Sequence, residues 1–258
     1  MNAPTPTLQG KFVWFEHASH DTAKARAFYE RLFGWHVETM TVGGRPYSML
    51  LNGDQAVGGL VAAGPGERAR WISYLSVADV DARCRAAQAA GAQVTAAPAD
   101  FPPVGRGAGL VDPTGAEFWL WKSAGGDRPD AEVPVGGWCW NELWTPDDTR
   151  ALAFYEGVFG YTHDSFPMPE GGPYHVLKTD PKHNGRGGLT RSKLPGVPAQ
   201  WLPYVRSADC DATVAKARQL GSPQVLLPPT DVPMAGRIAI LVDPLGASVA
   251  LIDPKPPA

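Results

Sequence analysis

Two glutamates lie in tryptophan-rich segments of the chain. Glu16 follows Trp14 by two residues, and Glu142 lies between Trp140 and Trp144. If these segments are strands, residues two apart share one face, so each carboxylate lies beside indole rings. A carboxylate in apolar surroundings has a raised pKa unless it is paired, and it can then serve as a general acid or base. The competing interpretation is a paired glutamate that closes the end of a sheet.

Tyrosines and arginines supply further candidates. Strand alternation predicts that Tyr74 and Tyr204 face the same side as the glutamates, where each can offer a hydroxyl to a ligand or pack its ring in the core. Arg106 and Arg237 each follow a glycine and could bind an anionic substrate, although pairing with the nearby glutamate is the favoured interpretation. The candidate catalytic residues are therefore Glu16, Glu142, Tyr74 and Tyr204.

Tryptophans near these residues could bind a flat ligand. Trp14 and Trp119 would stack on such a ligand in the first half of the chain, and Trp140 and Trp144 in the second. The chain contains nine tryptophans, and core packing is the alternative for each of them. The candidate ligand-binding residues are Trp14, Trp119, Trp140, Trp144, Arg106 and Arg237.

These residues recur because the chain consists of two similar halves. Residues 12–35 align with residues 138–161 without a gap, and the turn Asp-Pro-Thr-Gly at 112–115 recurs as Asp-Pro-Leu-Gly at 243–246. A period this long indicates a duplicated domain and not a solenoid repeat. We expect a first domain over residues 10–122, a linker rich in Gly, Pro and charge over 123–135, and a second domain over 136–253.

Each half contains the same order of elements twice. The first strand, over residues 11–18, is followed by a helix that Asp21 caps and Gly34 ends, with apolar residues at helical spacing between them. A second strand over 71–77 and a helix over 79–90 begin the pattern again, with short strands after each helix. The sequence therefore predicts an α+β fold with two βαβββ modules in each half.

Composition excludes several classes of function. A net charge of −3 with 19% charged residues provides no basic surface for nucleic acid or membrane. The N-terminal segment MNAPTPTLQGK is polar, which argues against a signal peptide or membrane anchor. The three cysteines form no CxxC pair, so we expect reduced thiols and a cytoplasmic protein. A monomer or a weak homodimer is expected, because the tandem halves could replace a dimer.

The helix and turn motifs resemble those of the vicinal oxygen chelate superfamily, which includes glyoxalases, bleomycin-resistance proteins and extradiol dioxygenases. The similar segments are Ala27-Phe28-Tyr29 with Phe33-Gly34-Trp35, Val77-Ala78-Asp79-Val80-Asp81, the Asp112-Pro-x-Gly turn, and their counterparts in the second half. The resemblance covers nearly the whole chain outside the linker and termini. It implies that the two modules of each half form one curved, half-open mixed sheet around a cleft.

The resemblance also provides positions at which metal-dependent members carry ligands. Carried over to this chain, these positions hold Trp14, Ile72 and Trp119 in the first half, and Trp140, Leu202 and Ala250 in the second. Residues 56–63 and 185–190, the strands expected to hold a fourth ligand, contain no Asp, Glu, His or Cys. A hard divalent cation requires several nitrogen or oxygen donors. We therefore expect no metal and no other cofactor.

Three functions remain open. The leading hypothesis is a metal-free protein that binds a small organic molecule, planar or cationic, in an aromatic cleft, as bleomycin-resistance proteins do. The second is a metal-independent lyase, isomerase or oxidoreductase with a cleft glutamate as base and a tyrosine as donor. The third is a scaffold whose clefts are filled. Trp119 matches Ala250, and Glu117 matches Ser248, so the second cleft is expected to be roomier and less acidic, with only one cleft functional.

Overall fold

The first half forms two βαβββ modules in a computed structural model, which describes residues 5–168, 172–180, 182, 185–192, 196–233 and 235–254. The first module contains β1 (Phe12–Ser19), α1 (Thr22–Phe33), β2 (His36–Val42), β3 (Arg45–Asn52) and β4 (Gln55–Ala62). The second contains β5 (Arg70–Ser76), α2 (Val80–Ala89), β6 (Gln93–Phe101), β7 (Gly105–Val111) and β8 (Glu117–Ser123).

The second half repeats this order. Its first module contains β9 (Trp138–Thr145), α3 (Asp148–Phe159), β10 (Thr162–Phe166), β11 (Tyr174–Lys178) and β12 (Gly187–Arg191). Its second contains β13 (Gln200–Arg206), α4 (Cys210–Gln219), β14 (Gln224–Val232), β15 (Gly236–Val242) and β16 (Ser248–Pro254). Each helix begins at an aspartate whose side chain accepts a backbone N–H: Asp21, Asp79, Asp147 and Asp209.

Each half builds one eight-stranded mixed sheet, and the predicted α+β fold class is confirmed. The first sheet has the order β2-β3-β4-β1-β5-β8-β7-β6, and the second repeats it with β10-β11-β12-β9-β13-β16-β15-β14. The two modules of a half join through the antiparallel pair β1–β5 or β9–β13. In the first sheet, the Gly43 N–H donates to the Pro102 carbonyl (2.9 Å). The β2–β3 hairpin and the β6–β7 hairpin, at opposite edges of this sheet, are therefore in contact.

The helix-side cores combine modules from different halves. One core packs α2 and strands β5 and β8 against α3, with Phe118, Tyr155 and Trp201 among its buried residues. The other packs α1 against α4, with Tyr29 and Trp71 among its buried residues. Each module therefore shares a sheet with its neighbour in the same half and a hydrophobic core with a module of the other half.

Buried hydrogen bonds cross between the halves in matched pairs. Tyr29 donates to Asp243 Oδ2 and Tyr155 donates to Asp112 Oδ2, each at 3.0 Å. The Oδ1 atom of each aspartate accepts backbone N–H groups of its own hairpin turn. These two aspartates, expected from the sequence to make turns, therefore also accept hydrogen bonds from the opposite half.

One of these contacts includes a histidine. His17 Nε2 lies 2.7 Å from Asp243 Oδ2, and both side chains are fully buried. Burial raises the pKa of Asp243, but the hydrogen bond with His17 and the backbone donors outweigh it, so that the pKa is lowered. The matching position in the second half is Leu143, so the two halves differ here.

No helix in the described part of the chain is long and apolar enough to cross a lipid bilayer.

Candidate functional site

The candidate residues of the first half converge on the concave face of the first sheet, which we call the first cleft. Glu16 on β1 pairs with Ile72 on β5, and Trp14 pairs with Tyr74. Ile72 and Tyr74 form one cluster with Trp14 and Trp119. Because alternate residues of a strand face opposite sides, their neighbours Phe15 and His17 lie in the helix-side interior.

A hydrogen-bonded relay surrounds Glu16. The Tyr47 hydroxyl donates to Glu16 Oε1 and the Tyr74 hydroxyl donates to Oε2, each at 2.8 Å. The Trp14 indole N–H in turn donates to the Tyr47 hydroxyl (2.9 Å). Glu16 has no cationic partner among the residues that the structure describes, so its charge is met by neutral donors alone.

These surroundings determine the protonation of the relay. Burial raises the pKa of Glu16, and the charge of Glu117 adds to this, while the hydrogen bonds from Tyr74 and Tyr47 lower it; the net shift is upward. Burial and the adjacent Glu16 carboxylate raise the pKa of both tyrosines above the ordinary value. Both phenols therefore stay protonated at neutral pH and act as donors to the carboxylate.

A second carboxylate lies at the rim of the first cleft. Glu117 accepts from Arg70, whose Nη2 lies 3.2 Å from Glu117 Oε1, and Arg70 Nη1 also donates to Glu67 (2.9 Å). Strand alternation places Glu117 on the same face as Trp119, and Arg70 on the same face as Tyr74. Arg70 is therefore shared between two carboxylates, and Arg68 also interacts with the charge of Glu117, while neither arginine bonds to Glu16 in the described structure.

Aromatic rings line the wall beside this rim. The Tyr74 and Trp119 rings are stacked at 22° with centroids 5.4 Å apart, and Trp121 meets Tyr74 edge-on at 5.7 Å. Phe101 contacts both tryptophans. The residues Trp14, Trp119, Trp121 and Phe101 are only half-buried, so part of each remains accessible to solvent.

The concave face of the second sheet, which we call the second cleft, contains the same relay with one addition. Trp140 donates to the Tyr174 hydroxyl (2.8 Å), and the hydroxyls of Tyr174 and Tyr204 bond to Glu142. The Trp144 indole N–H also donates to Glu142 Oε1 (2.5 Å).

The extra indole distinguishes the two clefts. The first half has Ala18 where the second has Trp144. Glu142 is 8% exposed and buried, whereas Glu16 is half-buried. The first glutamate is therefore the more accessible of the two.

The second cleft was expected to be roomier, but a side chain on the neighbouring strand fills that space. Trp119 on β8 lies opposite Gly109 on β7, whereas Ala250 on β16 lies opposite Ile240 on β15. Ile240 is 3% exposed and Ala250 fully buried. Aliphatic side chains therefore fill the place that the missing indole would leave open.

The expected pairing of Arg106 and Arg237 with the glutamates is wrong. Arg106 makes a bidentate contact with Asp81, with both distances 2.8 Å, and a further one with Asp100 (2.9 Å). Arg237 binds Asp211 in the same way. Both arginines lie on the helix side of their sheets, because the adjacent residues of β7 and β15 face the cleft.

Sequence reasoning missed Tyr47 and Tyr174, the second hydroxyl donors of the two relays. Both lie on the third strand of their half, where the alignment of the halves is interrupted by loops of different length. Gly59 and Gly188 accommodate them: an added Cβ would lie 1.8 and 1.9 Å from the respective hydroxyl oxygens. The sequence feature that could have identified them is the recurrence of a tyrosine and a glycine at matched strand positions in the two halves.

We next tested whether the described side chains of the concave faces fit a divalent metal. The positions that the family resemblance assigns to ligands hold Trp14, Ile72 and Trp119, and Gly59 lies opposite Glu16 on β4. Within the described ranges there is no group of three or more His, Cys, Asp or Glu residues that could hold a metal ion. A lone carboxylate among indoles and tyrosines does not match the donor set that such an ion needs.

Comparisons with known proteins relate the whole chain to one family. A family model described as the glyoxalase/bleomycin resistance protein/dioxygenase superfamily matches residues 11–120. A protein of Mycobacterium tuberculosis (strain CDC 1551 / Oshkosh), CFP32, whose name classes it provisionally as a glyoxylase, is 37% identical over 254 residues, 96% of each chain. The anthracycline biosynthesis protein DauV of Streptomyces sp. (strain C5) is 31% identical over 95% of this chain and 93% of its own.

Solved structures share the fold at lower identity. The Mn(II)-bound glyoxalase from Novosphingobium aromaticivorans superimposes with a TM-score of 0.65 at 16% identity, covering 95% of this chain and 82% of that one. A variant of homoprotocatechuate 2,3-dioxygenase from B. fuscum gives the same score at 15% identity, covering 99% of this chain and 74% of that one. With its repeated βαβββ modules and full-length relatives, the chain belongs to the glyoxalase/bleomycin resistance protein/dioxygenase superfamily.

Proposed function

We propose that this protein binds a small organic molecule in its first cleft, without a resident metal ion. The observation that carries the proposal is Glu16, a half-buried carboxylate held by two tyrosine hydroxyls among accessible aromatic rings, with no cation against it in the described structure. Convergent polar groups in a mostly apolar concave surface are typical of small-molecule sites. Donors that hold the carboxylate in place before binding reduce the ordering cost of a ligand.

The relatives support a small organic molecule. DauV is named for anthracycline biosynthesis and CFP32 for the glyoxylases, and both align with nearly the full length of this chain. Those names describe the relatives. They favour an organic ligand over a macromolecular partner for a cleft of this chemistry.

A second candidate is a metal-independent reaction in the same cleft. Glu16 would act as the base, because burial has raised its pKa towards the range in which a carboxylate accepts a proton from a substrate. Tyr74, whose hydroxyl already donates to the carboxylate at 2.8 Å, would be the hydrogen-bond donor that stabilises the developing charge. The proton leaves a substrate C–H or O–H bond and is held on the Glu16 carboxylate until it is returned to the product.

Ligand-observed NMR with a library of small aromatic and aliphatic molecules tests the first proposal. Hits should be lost in a Trp119→Ala variant and weakened by Glu16→Gln, while Glu142→Gln, the matched change in the second cleft, should leave them intact. Hits that respond only to Glu142→Gln, or an absence of hits, would overturn the proposal. Metal analysis of protein purified without chelators adds a separate test, since a stoichiometric divalent ion would contradict the metal-free site.

Turnover separates binding from catalysis. A hit that is chemically converted by the wild-type protein and not by Glu16→Gln establishes the second candidate. A hit that is recovered unchanged from both proteins supports binding alone.

We also propose that the protein is a monomer. Each half already packs its helices against the other half, as the two cores that combine their modules indicate. Light scattering coupled to size-exclusion chromatography tests this, and a mass of twice 27.5 kDa at micromolar concentration would contradict it.

A further inference from the structure

Two histidines lie side by side between α3 and the adjacent strands β10 and β11. His163 on β10 and His175 on β11 meet edge-on, with ring centroids 5.2 Å apart and ring planes at 84°. Leu177, two residues along β11 from His175, is fully buried in the helix-side core, so His175 also faces the helix. We call His163, His175, Ser165 and Glu156 the histidine cluster.

Hydrogen bonds connect both rings to neighbouring elements. His163 Nδ1 lies 2.5 Å from Glu156 Oε1 on α3. Because an ionised carboxylate only accepts hydrogen bonds, this ring nitrogen is the donor. His175 Nδ1 lies 2.8 Å from Ser165 Oγ, opposite it on β10. His163 therefore holds β10 to the helix, while the hydrogen bond of His175 is to the neighbouring strand.

The carboxylates around His175 already have partners. Glu156 and Asp148 of α3 face this ring, as does His163. Asp148 accepts from Arg191 of β12 at 2.6 Å, and Glu156 accepts from His163. His175 is 6% exposed, and burial and the charge of His163 lower its pKa, although the two carboxylates raise it. A proton on His175 would therefore place a buried positive charge beside carboxylates that are already bonded.

The first half has no titratable side chain at the three strand positions of this cluster. The residues there are Val37, Thr39 and Ser48, and Thr39 pairs with Ser48 as Ser165 pairs with His175. Glu30, the counterpart of Glu156, pairs with Arg26 on its own helix at 2.7 Å. A response of this cluster to acid is therefore confined to the second half.

The strand that carries His175 also carries a hydroxyl of the second cleft. Tyr174 precedes His175 on β11, and strand alternation turns it to the opposite, concave face. There its hydroxyl accepts from Trp140 at 2.8 Å and bonds to Glu142. A displacement of β11 away from α3 would therefore also move Tyr174 relative to Glu142.

We propose that β10 and β11 form an acid-sensitive latch of the second half: at mildly acidic pH His175 takes up a proton, β11 separates from α3, and Tyr174 withdraws from Glu142. Separation brings the charged ring into water, which removes the cost of burying it. This regulation goes beyond the proposed function, since it concerns access to the second cleft and does not depend on the ligand of the first.

The direction of the pH dependence follows from the lowered pKa of His175. Above the ordinary histidine value near 6.5, the ring is neutral in both the folded and the unfolded chain, and its contribution to stability is complete. As the pH falls below that value, the unfolded chain takes up the proton first, so stability is lost until the folded-state pKa is reached. A form with β11 opened and His175 in water is favoured over the same window.

Hydrogen exchange at several pH values tests the latch. Protection factors, which correct for the intrinsic exchange rate at each pH, are compared for β11 and for β3, its counterpart in the first half. Between about pH 7.5 and about pH 5.5 we expect the protection of β11 to fall about tenfold and that of β3 to change less than about twofold. The carbon-13 signal of the Tyr174 ring should shift over the same range, because its hydroxyl loses Glu142.

Variants that copy the first half should remove the response. His175→Ser, a copy of Ser48, should keep the protection of β11 constant within about twofold over this range. His163→Val, a copy of Val37, should also suppress the loss, because Glu156 is then available to a protonated His175. His20→Gln removes an exposed histidine outside the cluster and should leave the response unchanged. Circular dichroism at neutral pH confirms folding, and His163→Val carries the test if His175→Ser does not fold.

The results that would overturn the latch are distinct from those that test the first cleft. Equal pH dependence of protection in β3 and β11 would refute it, and so would a response that persists in His175→Ser. Protonation of His175 without any change at Tyr174 would also refute it, because the buried ring would then be charged in place. Each of these results leaves the ligand hits of the first cleft, and with them the proposed function, unaffected.

Discussion

At the scale of single residues, the chemistry of the first cleft depends on how one carboxylate is held. Burial penalises the charged form of Glu16, and two tyrosine hydroxyls partly restore it. Because these donors are neutral, no cation neutralises the carboxylate in the described structure. The matching glutamate in the second half, Glu142, accepts from a third donor, Trp144, which covers the carboxylate.

Removing one hydroxyl should make Glu16 harder to ionise. In Tyr74→Phe, Oε2 loses its donor, so the pKa of Glu16 should rise further and unfolding should become easier by about 1–3 kcal/mol. Carbon-13 NMR of the labelled glutamate carboxyl measures the pKa, and urea unfolding measures the stability. Tyr161→Phe is the control for the Glu16 pKa, because the Tyr161 hydroxyl bonds to the Gly10 carbonyl outside the cleft. An unchanged Glu16 titration in Tyr74→Phe would contradict the relay.

The raised pKa of Glu16 also predicts a pH dependence of folding. The folded protein binds this proton more tightly than the unfolded chain, whose glutamates titrate near 4.5, so stability falls as the pH rises from there through the folded-state pKa. Glu16→Gln lacks this loss. The free energy of unfolding of this variant, measured with urea and compared with that of wild type, should therefore increase with pH across that window. If the two free energies change with pH in parallel, the pKa of Glu16 is not raised.

At the scale of strands, glycines decide which side chains can reach the cleft. Gly59 on β4 leaves space for the Tyr47 hydroxyl, and Gly188 on β12 does so for Tyr174. Gly107 on β7 leaves space for an indole, whereas its counterpart Ile238 does not. The relay is thus preserved in both halves by one pair of glycines, while the two indoles of β8 are present only in the first half, where Gly107 and Gly109 lie opposite them.

A methyl group on β4 should disrupt the first relay. In Gly59→Ala the new Cβ would lie 1.8 Å from the Tyr47 hydroxyl oxygen, so Tyr47 must move away from Glu16 at a cost of about 1–3 kcal/mol. Thermal melting and the carboxyl NMR signal of Glu16 report the two effects. Gly125→Ala, with no atom within 4 Å of its Cβ, should be neutral, and an equally neutral Gly59→Ala would show that Tyr47 is not required where we place it.

At the scale of the whole molecule, sheets and cores divide the four modules differently. Each sheet joins two modules of one half, while each helix-side core joins modules of opposite halves. Two tyrosine–aspartate hydrogen bonds connect the halves at matched positions, and His17 strengthens only one of them. We therefore expect the halves to unfold together.

The two tyrosine–aspartate contacts should differ in their cost of removal. Tyr155→Phe leaves Asp112 Oδ2 with no other side-chain donor in the described structure, whereas Tyr29→Phe leaves Asp243 Oδ2 bonded to His17. An unsatisfied buried acceptor costs about 1–3 kcal/mol, so Tyr155→Phe should destabilise the protein by more than Tyr29→Phe in urea unfolding. In both variants an indole, Trp201 or Trp71, loses the same acceptor, which makes the pair a matched comparison. The reverse order of stabilities would contradict the assignment, and two separate unfolding transitions would contradict the shared cores.

The sequence by itself determined the duplication, the βαβββ modules and the face on which Glu16 and Tyr74 lie, because these follow from local periodicity. Capping aspartates and alternating strands require only neighbouring residues, and the superfamily motifs lie within single elements. The same local information placed Trp144 beside Glu142, which the structure bears out.

Only the tertiary structure decided which side chains contact one another. Tyr47 reaches Glu16 from two strands away, Arg106 binds an aspartate of α2 instead of the glutamate, and His17, unmatched in the sequence, meets Asp243 of the other half. Each contact depends on strand register and on the packing of one half against the other, which bring together residues far apart in the chain. Local spacing indicates which way a side chain faces, but the long-range packing selects what it touches.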